Sequence, residues 1–301
     1  VCELIATLGR LDLLQCARQH GCTWDAQACS MATCARAARG GHLHILQWAR
    51  ENACPWDEMT CTEAAGAGHL EMLQWAKANG CPGDESTCQE AAIGGHLGVL
   101  QWAWSNCFPW DDTTCDGAAN GGHLEILQWA RANGCPWGRW TCASAAGGGF
   151  LDILKWWARA NGCPWDKFTC SQAANGGHLH ILRWARANGC PWDENTCSSA
   201  ANGGHLGVLK WARANGCRWD ARTCSNAARA GSLLMLEWAR GEGCPWDEKT
   251  CSCAARSGHL TVLQWARANG CLWDHETRTR ALAGGHDDVV EWATANGCPQ
   301  A

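Results

Sequence analysis

The tripeptide Gly-His-Leu, or a close variant of it, returns along the chain at a nearly fixed interval. Its glycine falls at Gly41, Gly68, Gly95, Gly122, Gly149, Gly177, Gly204, Gly231, Gly258 and Gly285, a period of 27 residues broken once by 28. Such a period over 301 residues argues against one large core. It points to a stack of similar units, each burying its apolar face on its neighbours. The skewed composition agrees: 24 Cys, 22 Trp and 35 Gly stand against 3 Phe and no Tyr, as expected of one motif copied many times. The copies make eleven units. The first, Gly9 to Gly40, carries five additional residues around Cys29 to Ala32, and a later one carries the adjacent pair Trp156 and Trp157.

One unit shows what each position does. Asp193 precedes a short Ala-rich segment and reads as an N-cap, its carboxylate accepting from the free amides of a first helical turn. Helix A is predicted from about Glu194 to Asn202. Gly203 and Gly204 are expected to supply left-handed conformations that turn the chain, and helix B is predicted from about Leu206 to Asn215. There Leu206, Val208, Leu209 and Trp211 form an apolar stripe, with Lys210 and Arg213 outside it. Gly216 ends the helix, and Cys217 and Trp219 lead into the next cap. Two helices of this length cannot bury a Trp and several aliphatics alone, so the units must stack. The expected fold class is all-α, a solenoid of eleven helix-turn-helix repeats forming one array over residues 1–301.

The string Ala-Ala-x-x-Gly-His-Leu-x-Val-Leu-x-Trp-Ala-x-x-x-Gly-Cys resembles the ankyrin repeat, over essentially the whole chain. The resemblance implies that Ala200, Ala201, Gly204, His205, Leu206, Val208, Leu209, Gly216 and Cys217 hold core or turn positions, with Cys197 at an inward Leu position. Ankyrin units run to about 33 residues; the residues missing here are those of the projecting β-hairpin finger. Short Trp- and Cys-rich arrays of this kind are similar to those of algae, oomycetes and giant viruses, so a photosynthetic antenna complex is one candidate assembly. At the C-terminal end, about 274–301, Arg278 and Arg280 enter helix A and Asp287 and Asp288 enter helix B, as expected of a polar cap. Val1, Cys2, Leu4 and Ile5 are expected to face outward at the other end, under a partner or further residues.

The repeated polar residues read as structural. Cysteines recur as Cys54 with Cys61, Cys135 with Cys142, or Cys190 with Cys197, spacings unlike those of closed zinc sites. Small buried core residues are the expected role, and a metal-binding or redox use of the ladder is the alternative. Histidine holds one turn position in eight units, and Phe150 and Ser232 replace it in two others. Arg50, Lys77, Arg131, Arg159, Arg186, Arg213, Arg240 and Arg267 form a basic ladder beside an equally regular ladder of aspartates, which reads as a solvated mixed face. No catalytic, cofactor-binding or metal site is expected.

The informative residues are those that break the repeat. Trp104 stands in the basic ladder, Phe108 in a Cys position, Phe150 in a His position, Trp157 is the insertion, and Trp140 and Phe168 hold a first-turn position that is elsewhere polar. These six are the candidate partner-binding residues, expected as a cluster of exposed aromatics. A net charge of −5 gives no polybasic field, so neither nucleic acid nor an acidic membrane surface is an expected partner. No apolar run is long enough to insert in a bilayer. The expected function is a non-enzymatic protein–protein interaction scaffold or linker within a larger complex, in an intracellular or organellar reducing compartment.

Overall fold

The computed structural model describes residues 1–22, 30–161 and 165–299, and the side chains of all of these except 30–32 and 159–161. Cys29 of the lengthened first unit and the Arg159 side chain lie outside the described residues. Among the described residues the chain forms 22 α-helices and no strand, a helical repeat solenoid. It divides into two compact units, Val1–Ala145 with Lys155–Ala160, and Ala146–Leu154 with Asn161–Ala301.

In the first compact unit the A helices Ser30–Arg39, Glu58–Gly66, Glu85–Ile93 and Asp112–Gly121 pack each on the next. In the second, Lys167–Asn175, Glu194–Asn202, Ala221–Arg229, Glu248–Arg256 and His275–Gly284 do the same. Paired alanines make this possible. Ala64 with Ala65, and Ala200 with Ala201, are fully buried, and a methyl group lets neighbouring helix axes approach closely without leaving voids.

Asp193 caps its helix as expected, accepting from the Asn195 amide at 3.0 Å with an extended backbone. The same capping bond is made by Asp57, Asp111, Asp166, Asp220 and Asp247, but not by Asp84 or Asp274. Helix B runs from Leu206 to Ala214. Its buried side is Val208, Leu209 and Ala212; Leu206 and Trp211, expected in the core, are only half-buried at its edge. Gly216 takes φ +83°, and the Cys217 amide donates back to the Ala212 carbonyl at 3.0 Å, the six-to-one closure of a Schellman turn.

The turn between the helices differs from expectation at one residue. Gly204 is left-handed at φ +77°, whereas Gly203 is right-handed at φ −78°. Glycine is required at 203 by close approach, since a Cβ there would lie 2.2 Å from the Asn175 carbonyl of the preceding repeat.

Candidate functional site

The repeated histidines and arginines are largely occupied in joining one piece of the array to another. The Nε2 of His123 donates to the Ile93 carbonyl at 3.0 Å and that of His178 to the Gly147 carbonyl at 2.9 Å. A carbonyl only accepts, so Nε2 carries the proton in both. His42, His69, His259 and His286 make the equivalent bond to the preceding repeat. Arg213 donates to the Cys217 carbonyl at 2.6 Å, and its guanidinium lies 4.0 Å from the Trp219 ring centre. It neutralises the negative end of helix B and roofs the indole. Arg50, Arg131, Arg186, Arg240 and Arg267 repeat this arrangement, so the basic ladder packs on tryptophan instead of standing free in solvent.

Each of those tryptophans meets a second one edge-on, as Trp192 meets Trp211 at 5.8 Å. These half-buried T-shaped pairs recur from Trp56 with Trp75 to Trp273 with Trp292. Edge-to-face packing is favourable for rings with a negative face and a positive edge.

The candidate aromatics separate on this background. Trp104, standing where other repeats have Arg, is 41% exposed. It contacts Trp110 and Trp129, both at 5.8 Å, and these two meet at 5.7 Å, so two adjoining repeats of the first compact unit together present three mutually packed indoles. Trp140 is 43% exposed, with the Arg139 guanidinium 5.4 Å from its ring. Phe150 and Phe168 are half-buried.

Two residues expected in the exposed patch are core. Phe108 is 3% exposed because Gly83 stands where other repeats have a tryptophan. A Cβ on Gly83 would lie 2.1 Å from the phenyl ring, so Phe108 fills the space of the absent indole. Lys77 lies 4.3 Å from its ring centre, in place of arginine over tryptophan. Trp157 is fully buried and stacks on Trp137 at 4.1 Å; the insertion is absorbed inward.

The cysteines pair differently from the sequence reading. The partner of a helix A cysteine is the cysteine twenty residues later, after helix B of the same repeat. Cys34 faces Cys54 at 3.4 Å and Cys170 faces Cys190 at 3.4 Å; Cys61 faces Cys81, Cys115 faces Cys135, Cys197 faces Cys217 and Cys224 faces Cys244 in the same register. The thiols form a short relay: Cys170 donates to Cys190 Sγ, which donates to the Asp166 carbonyl at 3.3 Å. The facing sulfur and burial push the pKa of Cys34, Cys170 and Cys197 up. Cys88 has Phe108 at the partner position of this register and no facing thiol there; burial first, then the nearby Cys135, Asp111 and Asp84, push it up to about 12. The signal that could have revealed the pairing was the joint change at Gly83 and Phe108. Among the described residues no three of His, Cys, Asp or Glu gather where they could hold a metal ion, and no helix is long and apolar enough to cross a membrane.

No protein-family model matches the chain, and no curated protein does. Among solved structures it is similar to the pentatricopeptide repeat protein PPR10 in complex with an 18-nt psaJ RNA element, at 13% identity and a TM-score of 0.45, over 99% of this chain and 53% of that one. It is also similar to PPR10 from maize, at 14% identity and a TM-score of 0.40, over 100% of this chain and 54% of that one. The chain thus spans about half the length of the structures it is similar to. Because the first of these structures holds RNA, the sequence expectation that set nucleic acid aside as a partner is withdrawn.

Proposed function

We propose that the chain is a non-enzymatic protein–protein interaction scaffold, a solenoid of the ankyrin-like kind that links subunits of a larger assembly through the exposed indole of Trp104. The ankyrin-like reading draws support from the Gly-His turn, whose histidine ties six of the repeats to the one before. The scaffold reading rests on one observation above others. In the repeats of Arg50, Arg131 and Arg186 the basic residue covers its tryptophan, whereas at Trp104 a third indole takes that place and stays exposed. Exposed tryptophan on a packed aromatic base is the composition of an interface centre.

The repeat itself supplies the test. Trp104→Arg restores the residue that most other repeats carry here, so the fold is expected to be kept, with the new guanidinium stacking on Trp110 as Arg131 stacks on Trp137. Capture of protein partners by the intact chain should fall by about 2 kcal/mol or more, as at a hot spot. Undiminished capture by a folded Trp104→Arg chain would overturn the assignment of this surface.

A further inference from the structure

The sulfur ladder has a geometry that core packing alone does not require. In Cys34–Cys54 and Cys170–Cys190 both side chains are fully buried, and the sulfurs face each other at 3.4 Å. Bonded sulfurs lie about 2.05 Å apart, so closure asks for a movement of about 1.4 Å, within reach of small side-chain rotations. Among the described residues no third His, Cys, Asp or Glu joins a pair to make a metal cluster, and two thiols alone do not make a closed zinc site. A second observation points the same way: Cys142, at the helix A position of its own repeat, is disulfide-bonded.

We propose that each thiol pair is an oxidation site, closed to an intra-repeat disulfide by thiol–disulfide exchange with a small-molecule disulfide. The thiolate of one cysteine attacks a sulfur of the reagent, forming a mixed disulfide and releasing one reagent thiolate. The second cysteine's thiolate then attacks the protein sulfur of that mixed disulfide and displaces the second reagent thiolate. The pair loses two electrons and two protons, and the reagent takes up both as two thiols.

The relay of the reduced form shapes how this happens. The attacking species is the thiolate, and the pairs are buried, with the outer thiols Cys81, Cys135, Cys190 and Cys217 donating to a cap aspartate's carbonyl, so exchange proceeds through local opening of the repeat. Once formed, the bond closes a loop of about twenty residues that contains helix A, the turn and helix B. It fastens a repeat to itself and not to its neighbours. The repeat of Cys88 is exempt, because Phe108 stands where its partner would be.

The test uses the intact chain equilibrated with glutathione disulfide and glutathione at a series of ratios, alkylated without reduction, and mapped by mass spectrometry of its peptides. Cystines are expected between Cys170 and Cys190, Cys197 and Cys217, and Cys224 and Cys244, with Cys88 still alkylated and the helical circular dichroism retained. Phe108→Cys should add one cystine, at Cys88. Cys224→Ser should remove one and leave Cys244 alkylated while the other pairs still close, which keeps the proposal testable if the first variant folds poorly. Cystines joining Cys190 to Cys197 across repeats would overturn the proposal. So would glutathione adducts confined to the exposed Cys16 and Cys107 while the buried pairs stay alkylatable at the most oxidising ratio.

Discussion

Ala53 and Cys107 carry a backbone that the same position elsewhere gives to glycine. Their φ values are +58° and +59°, where Gly80, Gly134 and Gly216 lie at +82° to +83°. In this region an L side chain crowds its own backbone, at a cost of about 1–2 kcal/mol that glycine avoids. Glycine loses more chain entropy on folding, roughly 0.5–1 kcal/mol, so the steric gain should exceed the entropic loss by a modest margin. Cys107→Gly and Ala53→Gly are each expected to raise stability by about 0.5–1 kcal/mol, read as a higher urea midpoint with an unchanged slope. Lower midpoints would show that these side chains contribute packing that outweighs the strain. The pair Gly83 and Phe108 teaches the complementary lesson: an indole on residue 83 and a phenyl on residue 108 claim the same volume, so Phe108 fits only with Gly83, and Gly83 without Phe108 would leave a void.

At the scale of the element, the turn couples repeats through histidine and fails where histidine is missing. A Cβ on Gly177 would lie 2.6 Å from the His205 ring, whereas beside Gly204 there is nothing within 4 Å, because the next repeat has Ser232. The carbonyl thirty residues before Ser232 belongs to Asn202, and in five other repeats the carbonyl at or next to this spacing accepts the histidine bond. Ser232→His should fill the space and make that bond, raising stability by about 1 kcal/mol. An unchanged or lower unfolding midpoint would mean that the turn has relaxed around serine. The elements themselves were legible in the sequence, because caps and glycines are local signals: helix A of the reference repeat was expected at Glu194–Asn202 and lies there, and helix B ends one residue early. What escaped was side-chain partnership across the helical hairpin. Cys170 and Cys190 are brought together by the turn, while sequence spacing favoured the nearer Cys197. The burial of Phe108 depends on a glycine twenty-five residues earlier, and Trp157 is buried by stacking on Trp137, which the sequence reading left unpaired. Trp104 and Trp140 are 41% and 43% exposed, because each departs from the repeat at a surface position and not at one that the core fills.

For the molecule as a whole, a solenoid is only as cooperative as its nearest-neighbour interfaces, and local defects set where it opens. Within the first compact unit three defects gather in one repeat, from Asp84 to Trp110, beside the single strained residue Ala53 of an earlier one. Its cap Asp84 makes no side-chain bond to the helix, where Asp57 and Asp111 in the flanking repeats do. Lost capping costs about 1 kcal/mol. Its helix B ends in the strained Cys107, and Cys88 lacks the thiol partner present in the repeats on either side. Each defect is small, but together they amount to a few kcal/mol, enough to change the population of an open repeat by more than tenfold. Native-state hydrogen exchange should therefore find the amides of Glu85–Ile93 and Leu97–Ser105 exchanging faster than those of Glu58–Gly66, Leu70–Ala78 and Asp112–Gly121, and Cys107→Gly should slow them selectively. Exchange that rises smoothly from the middle of this compact unit to its first helix would show instead that end fraying governs opening, and that the three defects are compensated by contacts such as Lys77 on Phe108.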